Sequence, residues 1–331
     1  MLAYKLKFLS ALHVDSKGSG SPETAQEFVH SDTLSAALCV SWPSVHPETG
    51  SSFFASPDFL VSSAFPYIKD VLFFPVPRFR IWGESRKTDN KEIKQVRWIS
   101  QRILEDVLRG EIIDPAQVKL KKQFAYSPEE SEVEEVTNLD AWKVIERQRV
   151  SVDRLGGQSE AGTFFFAQQH FHPESGLFFM VDAAEPAKIE SVLGFLGDSG
   201  LGADRNSGLG HFKILDRIDP GLKFPENIDG RMTLSLLNPG PEDNVSELTR
   251  LCAYDLMSRS GWVTSAGAGR PPIRVFAEGS FFAKKPSGRV VRMIDDALIQ
   301  KYDLPLSSPI YRDFRAFSVP CATPSWYKEA T

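Results

Sequence analysis

The chain has 331 residues, which is long for one compact core and predicts about two domains. Apolar residues make up 42% and charged residues 24%, values that fit a packed globular protein and exclude a disordered or fibrous one. Lys and Arg number 38 against 43 Asp and Glu, so the net charge of -5 excludes a protein that coats nucleic acid by bulk charge. Any nucleic-acid site must therefore be a local basic patch.

Cysteine content and hydropathy predict a cytoplasmic protein. Cys39, Cys252 and Cys321 lie too far apart in sequence for a CxxC metal motif, and three cysteines do not make an even disulfide framework. Lys5 and Lys7 interrupt the apolar N-terminal stretch, and no run of eighteen apolar residues occurs. We expect a chain that is neither exported nor inserted in a membrane.

The first predicted elements are a strand and a helix. Apolar residues alternate with lysines from Leu2 to Phe8, which predicts a strand. Ser31 or Asp32 is expected to cap a helix that ends before Pro43. Prolines between residues 51 and 82 favour short strands and loops.

Later segments extend this pattern. Apolar residues at helical spacing predict one helix from Glu92 to Gly110. Residues 163–182 predict a β-hairpin that turns at Pro173 to Gly176, and Pro186 opens a helix that runs to Leu196. A glycine-rich loop and a strand over 211–215 follow, which completes the βαββαβ order of a ferredoxin-like fold.

The predicted fold is α+β, with two ferredoxin-like (RRM-like) domains. The first covers residues 1–217 and carries a β-hairpin and helical insertion at about 83–150. The second, a degenerate copy, covers residues 218–331. It is expected to contain a strand over 232–237, a helix from Pro241 to Ser260, and strands around Trp262 and over 273–283.

The glycine-rich loop spans residues 197–210, with glycines at 197, 200, 202, 208 and 210. It lies between a helix and a strand, the reverse of the order in dinucleotide and P-loop sites, and no Gly-Lys-Ser/Thr sequence is present. Free glycine amides can form an anion-binding concavity in which Arg205 pairs with a phosphate. The alternative is a flexible surface loop.

Candidate catalytic and metal-binding residues are few. His170 and His172 share a strand face, but no third ligand follows at zinc-site spacing, so a solvent-facing pair is favoured. His13 is either a general base for RNA cleavage or a strand-end histidine bonded to the backbone. Asp32 is explained by helix capping. No serine-nucleophile elbow or HExxH helix occurs, so a non-catalytic protein without metal or cofactor is expected.

Five motifs in a fixed order resemble the RAMP superfamily of CRISPR RNA-binding proteins. They are HSDTL (30–34), LVSSAFP (60–66), VDRL (152–155), LGADRNSGLG (201–210) and IRVFAEGS (273–280). Within that superfamily the chain is most similar to the Cas5-group subunit of type III-A (Csm) effector complexes. Ala203 and Asn206 depart from the usual glycine and serine of the loop.

The resemblance implies a non-catalytic subunit that caps the complex by holding the 5′ handle of the crRNA in antiviral defence. It further implies docking on the large polymerase/cyclase subunit, contact with the backbone RAMP subunits, and a β-hairpin thumb across the RNA near target RNA at the handle boundary. Two alternatives stay open. One is a RAMP endoribonuclease that processes precursor crRNA with His13 or His30, and the other is an assembly scaffold without RNA contact.

RNA contacts are expected from three segments, of which the resemblance places the one with Ser62, Ser63 and Phe65 beside the handle. The acidic run from Glu129 to Asp140 is expected to avoid phosphate. For Phe65 the alternative is a core position, and for the charged segments it is solvated surface. The expected contacts are Ser62, Ser63, Phe65, Arg147, Arg149, Arg154, Gly200, Gly202, Arg205, Ser207, Gly208 and Gly210.

Overall fold

A computed structural model describes residues 1–15, 25–84, 90–150, 163–263 and 267–323, which form a mixed α+β architecture. The helices are α1 (Ser31–Val45), α2 (Asn90–Gln95), α3 (Gln101–Leu108), α4 (Glu134–Leu139), α5 (Pro186–Ser199), α6 (Val245–Leu248) and α7 (Asp296–Lys301). Short 3₁₀ helices cover Ser51–Ala55, Pro128–Val133 and Arg205–Ser207.

Strands provide most of the regular structure. Those of the first 220 residues are β1 (Leu2–Phe8), β2 (Phe59–Val61), β3 (Phe65–Ile68), β4 (Val71–Pro75), β5 (Trp98–Ser100), β6 (Lys119–Lys121), β7 (Phe124–Tyr126), β8 (Trp142–Val150), β9 (Thr163–Phe171), β10 (Ser175–Ala183) and β11 (Phe212–Ile218). The remaining strands are β12 (Gly230–Thr233), β13 (Cys252–Ala253), β14 (Leu256–Val263), β15 (Ala268–Phe276), β16 (Phe281–Phe282), β17 (Gly288–Ile294), β18 (Ile310–Arg315) and β19 (Ser318–Cys321).

The main sheet has nine strands in the order β11-β1-β10-β3-β4-β5-β7-β6, with β2 also paired to β10. β1 lies between β10 and β11 and is antiparallel to both, as the alternation in its sequence allows. α1 and α5 pack against each other, and both contribute buried residues to the core cluster that contains β1 and β10. The predicted strand over 2–8 and the predicted helix from Pro186 are therefore confirmed.

The helix predicted from Glu92 to Gly110 is wrong, because a strand interrupts it. Trp98, Ile99 and Ser100 are all buried and form β5, which pairs antiparallel with β4 and parallel with β7. Sheet pairing on both sides outweighs the helical spacing of the apolar residues here. Helical structure resumes in α3, and Gly110 follows its end with a φ of 85°, as predicted for a helix stop.

The expectation for the start and end of α1 is also wrong. His30 occupies the N-cap position, and the buried side chains of Ser31 and Asp32 lie within the first turn rather than capping it. Pro43 sits inside the helix, which runs on to Val45. Trp42 is buried and stacks on Phe59 at a ring distance of 5.6 Å, and this packing stabilises the last turn.

The hairpin predicted over 163–182 does not form between its two strands. β9 pairs with β8, whereas β10 pairs with β1, β2 and β3. Nearly every residue of β10 is buried, which is typical of a central strand with neighbours on both sides. The turn at residues 173–174 therefore carries the chain from the β8–β9 hairpin into the main sheet.

The C-terminal part consists of a four-stranded sheet, β13-β16-β12-β19, and two hairpins, β14–β15 and β17–β18. The helix predicted from Pro241 to Ser260 shrinks to the single turn of α6, whose first amides are capped by Asn244. In β14 the buried Arg259 and Val263 alternate with the exposed Ser258 and Trp262, a strand period that the prediction missed.

Both halves of the chain contribute to one hydrophobic cluster. It joins Tyr4 and Leu38 from the first half to Met232, Phe281 and Val319 from the second. Among the described residues, no helix combines the length and the hydropathy that a membrane span requires.

Candidate nucleic-acid interface

The glycine-rich loop folds tightly against the segment that follows β1. A Cβ atom at Gly202, where φ is 93°, would overlap the backbone oxygen of His13. The amide of Ala203 donates to that oxygen at 2.9 Å, and the amide of Gly210 donates to the oxygen of Ala11 at 2.8 Å. Close backbone approach thus explains the glycines better than flexibility does.

These hydrogen bonds correct the prediction of open glycine amides. The amides of Gly200 and Gly208 donate to backbone oxygens of α5 and of the loop, and the amide of Gly210 donates to that of Ala11 in the segment after β1. The groups that the loop presents to solvent are instead the exposed side chains of Arg205 and Ser207. Side chains, rather than a backbone concavity, make this loop a candidate anion site.

The β8–β9 hairpin brings arginine side chains to this loop. Arg147 pairs with Phe166 and Arg149 with Phe164 in the antiparallel register, so both arginines share one face. The Arg149 guanidinium stacks on the Phe166 ring at 4.3 Å and forms an ion pair with Asp204 of the glycine-rich loop. The loop and the hairpin are therefore tied together at this point.

Between them lies a cleft of about 380 Å³, here called the hairpin cleft. It is lined by Ala11, Arg147, Gln148, Arg149, Gln168, His170, Ser207 and Leu209. Arg147 forms no ion pair with any residue in the described ranges, so its charge remains available to a ligand. Partial burial, together with the charge of Arg147, lowers the pKa of His170, which keeps its imidazole neutral at pH 7.

Ser62, Ser63 and Phe65 do not reach the hairpin cleft or any surface. All three are fully buried. The Ser62 hydroxyl donates to the Ser63 oxygen at 2.7 Å and accepts from the Met180 amide at 2.8 Å, while the Ser63 hydroxyl donates to Glu278 and accepts from the Ser31 amide. The expected RNA contacts of these three residues are therefore wrong in this structure, and Phe65 is a core residue.

Arg154 and the VDRL motif at 152–155 lie outside the described residues. Of the arginines expected along RNA, the structure thus brings Arg147 and Arg149 together with Ser207 at one cleft. Gly200 and Gly202 shape the loop from within, and Gly208, with a φ of 79°, is exposed beside Ser207.

The histidines of the endoribonuclease alternative are enclosed. His13 is 2% exposed, and its Nδ1 lies 2.7 Å from the backbone oxygen of Ala167. His30 is equally buried, with Nδ1 2.7 Å from Glu278 Oε1. Burial raises the pKa of Glu278, but His30 and the hydroxyl of Ser63 lower it overall, so the carboxylate is charged inside the protein.

The acidic run lies at the far edge of the main sheet. Residues 129–140 follow β7, near the β6 edge, whereas the glycine-rich loop precedes β11 at the other edge. Glu129 pairs with Arg102, Asp140 pairs with Lys122, and Glu130 closes a capping box with Ser127. Local pairing thus accounts for these acids, and they lie apart from the hairpin cleft.

No group of three or more His, Cys, Asp or Glu side chains in the described part of the chain is arranged to hold a metal ion. His170 contributes instead to the hairpin cleft, and the Nδ1 of His172 accepts from the amide of Glu174 at 3.3 Å. Sequence reasoning missed Gln168 and Leu209 as cleft residues. The signal for Gln168 was its spacing of two from Phe166 and His170, which places it on the arginine face of β9.

Comparison with known proteins finds similarity to Csm4 proteins. A model of the CRISPR Csm4 C-terminal domain matches residues 226–321. The CRISPR system Csm4 protein of Thermococcus onnurineus (strain NA1) is 23% identical over 269 residues, which are 76% of this chain and 76% of the relative. The chain is similar to Csm4 proteins, as the motifs predicted. The Csm4 of Mycobacterium tuberculosis (strain CDC 1551 / Oshkosh) is 29% identical over 146 residues, 41% of this chain and 46% of that protein.

Solved Csm4-containing structures share the fold over almost the whole chain. A crystal structure of a Csm3-Csm4 subcomplex of a type III-A CRISPR-Cas interference complex superposes with a TM-score of 0.61, 16% identity and coverage of 95% of this chain and 98% of that one. A Csm1-Csm4 cassette in complex with pppApA gives a TM-score of 0.59 at 17% identity, with 98% of both chains covered. The match to the Csm4 C-terminal domain spans β12 to β19.

Proposed function

We propose that this chain is the subunit of a type III-A CRISPR effector complex that holds the 5′ handle of the crRNA, and that the hairpin cleft contacts the RNA. The observation that carries the proposal is the cleft itself. It joins Arg147 and Arg149 of β8 to the exposed Ser207 of the glycine-rich loop, on a chain that is similar to Csm4. Guanidinium groups bind phosphate, and cleft amide and imidazole groups bond base edges.

A binding role without catalysis suits these groups. Single-stranded RNA is held by cationic contacts to phosphate and by stacking or hydrogen bonds to unpaired bases. Because His13 and His30 are buried and hydrogen-bonded inside the protein, neither is placed to move a proton on RNA at the surface. The burial of both histidines favours RNA binding over the endoribonuclease alternative.

The partners follow from the relatives. Csm4 has been solved with Csm3 and with Csm1. We infer that this chain docks in the same way on a large polymerase/cyclase subunit and on backbone RAMP subunits, in the cytoplasm. The free chain exposes apolar side chains that such partners would cover, among them Leu9 at 63% and Val40 at 67%.

The domain organisation belongs to the same proposal. The strand order β11-β1-β10-β3, with α1 after β1 and α5 before β11, supports a ferredoxin-like N-terminal domain over residues 1–217. The boundary to a second domain at 218–331 remains a prediction.

The decisive experiment purifies the effector complex through a tag on this chain. Sequencing of the co-purified RNA should find crRNAs that begin with one common handle, and mass spectrometry should find Csm1- and Csm3-like partners. Partners without RNA would support the scaffold alternative. Cleavage of precursor crRNA by the purified chain, lost in His13→Ala, would overturn the proposal in favour of the endoribonuclease.

Salt titration locates the RNA path. Replacing Arg147 and Arg149 with Gln should weaken crRNA retention and lower the slope of log affinity against log salt by about 1.4, the value for two phosphates on a single strand. The matched control replaces Lys119 and Lys121 of β6 with Gln, which removes the same charge at the opposite edge of the sheet. An equal loss of slope in both variants would show that RNA does not follow the hairpin cleft.

A further inference from the structure

A second group of arginines lies inside the protein, away from the hairpin cleft. It consists of Arg259 on β14, Arg270 on β15 and Arg312 on β18, next to the first turn of α1. Arg259 is 5% exposed and Arg270 9%, whereas Arg312 is partly exposed. Arginines are rarely buried to this extent unless an anion accompanies each of them.

Among the residues that the structure describes, Arg259 is the only one of the three with such a partner. Its Nη2 donates to Asp32 Oδ1 at 2.9 Å and its Nε to Asp32 Oδ2 at 3.3 Å, and Nη2 also reaches the Thr33 hydroxyl at 3.1 Å. Burial raises the pKa of Asp32, but Arg259, His30 and Arg312 lower it to about 2. Asp32 is therefore a full negative charge, held mainly by one of the three arginines.

The other two arginines lack a carboxylate partner among the described residues. Arg270 Nη2 donates to the backbone oxygen of Ser260 at 2.9 Å, and Arg312 Nη1 donates to that of Tyr311 at 3.2 Å. The Nε of each is buried and has no hydrogen-bond acceptor in the described part of the chain. Of the nearby acids, Glu278 is engaged by His30 and Ser63, and Asp15 acts on Arg259. Positive charge is thus in excess around Arg270 and Arg312.

This excess is unfavourable for the ligand-free protein. Burial, with the charges of Arg312 and Arg259, lowers the pKa of Arg270 to about 10. Burial also lowers the pKa of Arg312. A buried cation without an anionic partner destabilises a fold, so an anion bound near Arg270 and Arg312 would stabilise this arrangement.

The backbone is shaped to hold Arg270 in place. The register of β14 and β15 shifts between Arg259 and Gly261, and a Cβ atom at Gly261 would overlap the guanidinium of Arg270. The fifteen-residue helix α1 also begins here, and the positive end of its dipole adds to the potential of the arginines. The position of the Arg270 guanidinium is therefore set by Gly261 and the strand register, and the dipole of α1 adds to the positive potential there.

We propose that Arg270 and Arg312 form a binding site for a phosphate group, with Arg259 and Asp32 as its fixed support. Residues 9–15 connect this site to the glycine-rich loop, since Gly210 and Ala203 bond to Ala11 and His13, and Asp15 lies near Arg259. If the proposed RNA function holds, the phosphate belongs to the RNA backbone. The other source of the same chemistry is free phosphate.

Thermal unfolding of the full-length chain tests the site itself. Inorganic phosphate is titrated against chloride at constant ionic strength, on the unmodified chain and on Arg270→Met, with Arg274→Gln as the control from the exposed face of β15. We expect the unmodified chain and the control to gain more melting temperature from phosphate than Arg270→Met does. We also expect Arg270→Met to melt higher than the unmodified chain without phosphate, because it removes an uncompensated buried charge. A lower melting point with an unchanged phosphate response would overturn the proposal.

A second variant keeps the positive charge of Arg270 but moves its guanidinium group. Gly261→Ala should displace the Arg270 guanidinium and reduce the phosphate response in the same way. An undiminished response in this variant and in Arg270→Met would show that phosphate acts elsewhere.

Binding of handle-bearing crRNA by the effector complex distinguishes the two sources. About tenfold weaker binding in Arg270→Met would assign the phosphate to RNA. Unchanged RNA affinity with a lost phosphate response would support the site as one for free phosphate. If the complex with the unmodified chain binds no crRNA while phosphate still stabilises the chain, the proposed function fails and the site stands.

Discussion

The hairpin cleft and the buried junction around Glu278 both contain several polar side chains. They differ in whether those side chains form hydrogen bonds with one another or remain open to solvent. At the junction, His30, Ser63 and Glu278 satisfy one another at full burial and connect the start of α1 to the C-terminal half. In the cleft, Arg147 and Ser207 remain open to solvent. The difference shows that a polar motif beside a loop indicates binding only when its donors and acceptors are not already used inside the fold.

The largest effect is expected from a substitution inside the protein, at the ion pair between Asp32 and Arg259. Asp32→Asn removes the only carboxylate hydrogen-bonded to Arg259 among the described residues and should lower the free energy of unfolding by about 3–5 kcal/mol. The pKa of Asp32 lies near 2, below its ordinary 3.8, so its contribution is present above pH 4 and lost as pH falls towards 2. Urea unfolding from pH 7 to pH 2 measures both. If Asp32→Asn lost as much stability between pH 4 and pH 2 as the unmodified chain does, the acid sensitivity would not come from Asp32.

The two serines that the sequence assigned to RNA provide the second test. Ser62→Ala with Ser63→Ala leaves the Met180 and Ser31 amides without their acceptors and should destabilise the chain by about 1–3 kcal/mol for each buried group. The crRNA affinity of the folded complex should not change. Weaker crRNA binding at unchanged stability would restore these serines to the RNA site.

A substitution at Gly208 tests the solvent-exposed region of the comparison, the glycine-rich loop beside the hairpin cleft. Its φ of 79° strains any residue with a side chain, although nothing lies within 4 Å of the Cβ position. Gly208→Val should therefore lower the free energy of unfolding by about 1–2 kcal/mol through backbone strain. It should also shift Ser207 and reduce crRNA retention. The control is Gly194→Ala in α5, which also has open space at Cβ but needs no positive φ. Full crRNA retention in Gly208→Val would mean that the loop does not touch RNA.

The smallest effect is expected from the acidic run. Replacing Glu129, Glu132 and Glu134 with Gln should change the free energy of unfolding by less than about 1 kcal/mol, because Glu129 forms only an exposed pair with Arg102. The salt slope of crRNA binding should stay the same as in the unmodified complex. A steeper slope would place these acids beside the RNA backbone.

Local pattern predicted the elements that depend on near neighbours. β1, α5, the strand after the glycine-rich loop and the stop at Gly110 were all visible in spacing, proline and glycine. The order of the motifs indicated the similarity to Csm4 proteins. These features depend on residues close together in the chain, which is what periodicity reports.

Long-range contacts decided the rest. β5 interrupts a helical pattern because Trp98 is buried against Phe28, about seventy residues earlier in the chain. Asp32 has a capping sequence context, yet it binds Arg259 from the other half of the protein. The Ser62 and Ser63 hydroxyls find partners at Met180 and Glu278. No local pattern contains such partners, so the sequence predicted a helix at Trp98, a helix cap at Asp32 and, through the resemblance, RNA contacts at the two serines.

The shared hydrophobic cluster constrains how the protein is made. Val319 and Cys321 belong to the same cluster as Tyr4 and Leu34, so the core cannot be completed until residue 321 has left the ribosome. The emerging chain therefore leaves exposed the part of the cluster that Met232, Phe281 and Val319 cover until these residues emerge. A chaperone that covers this apolar surface would raise the yield of the folded chain without altering its final structure.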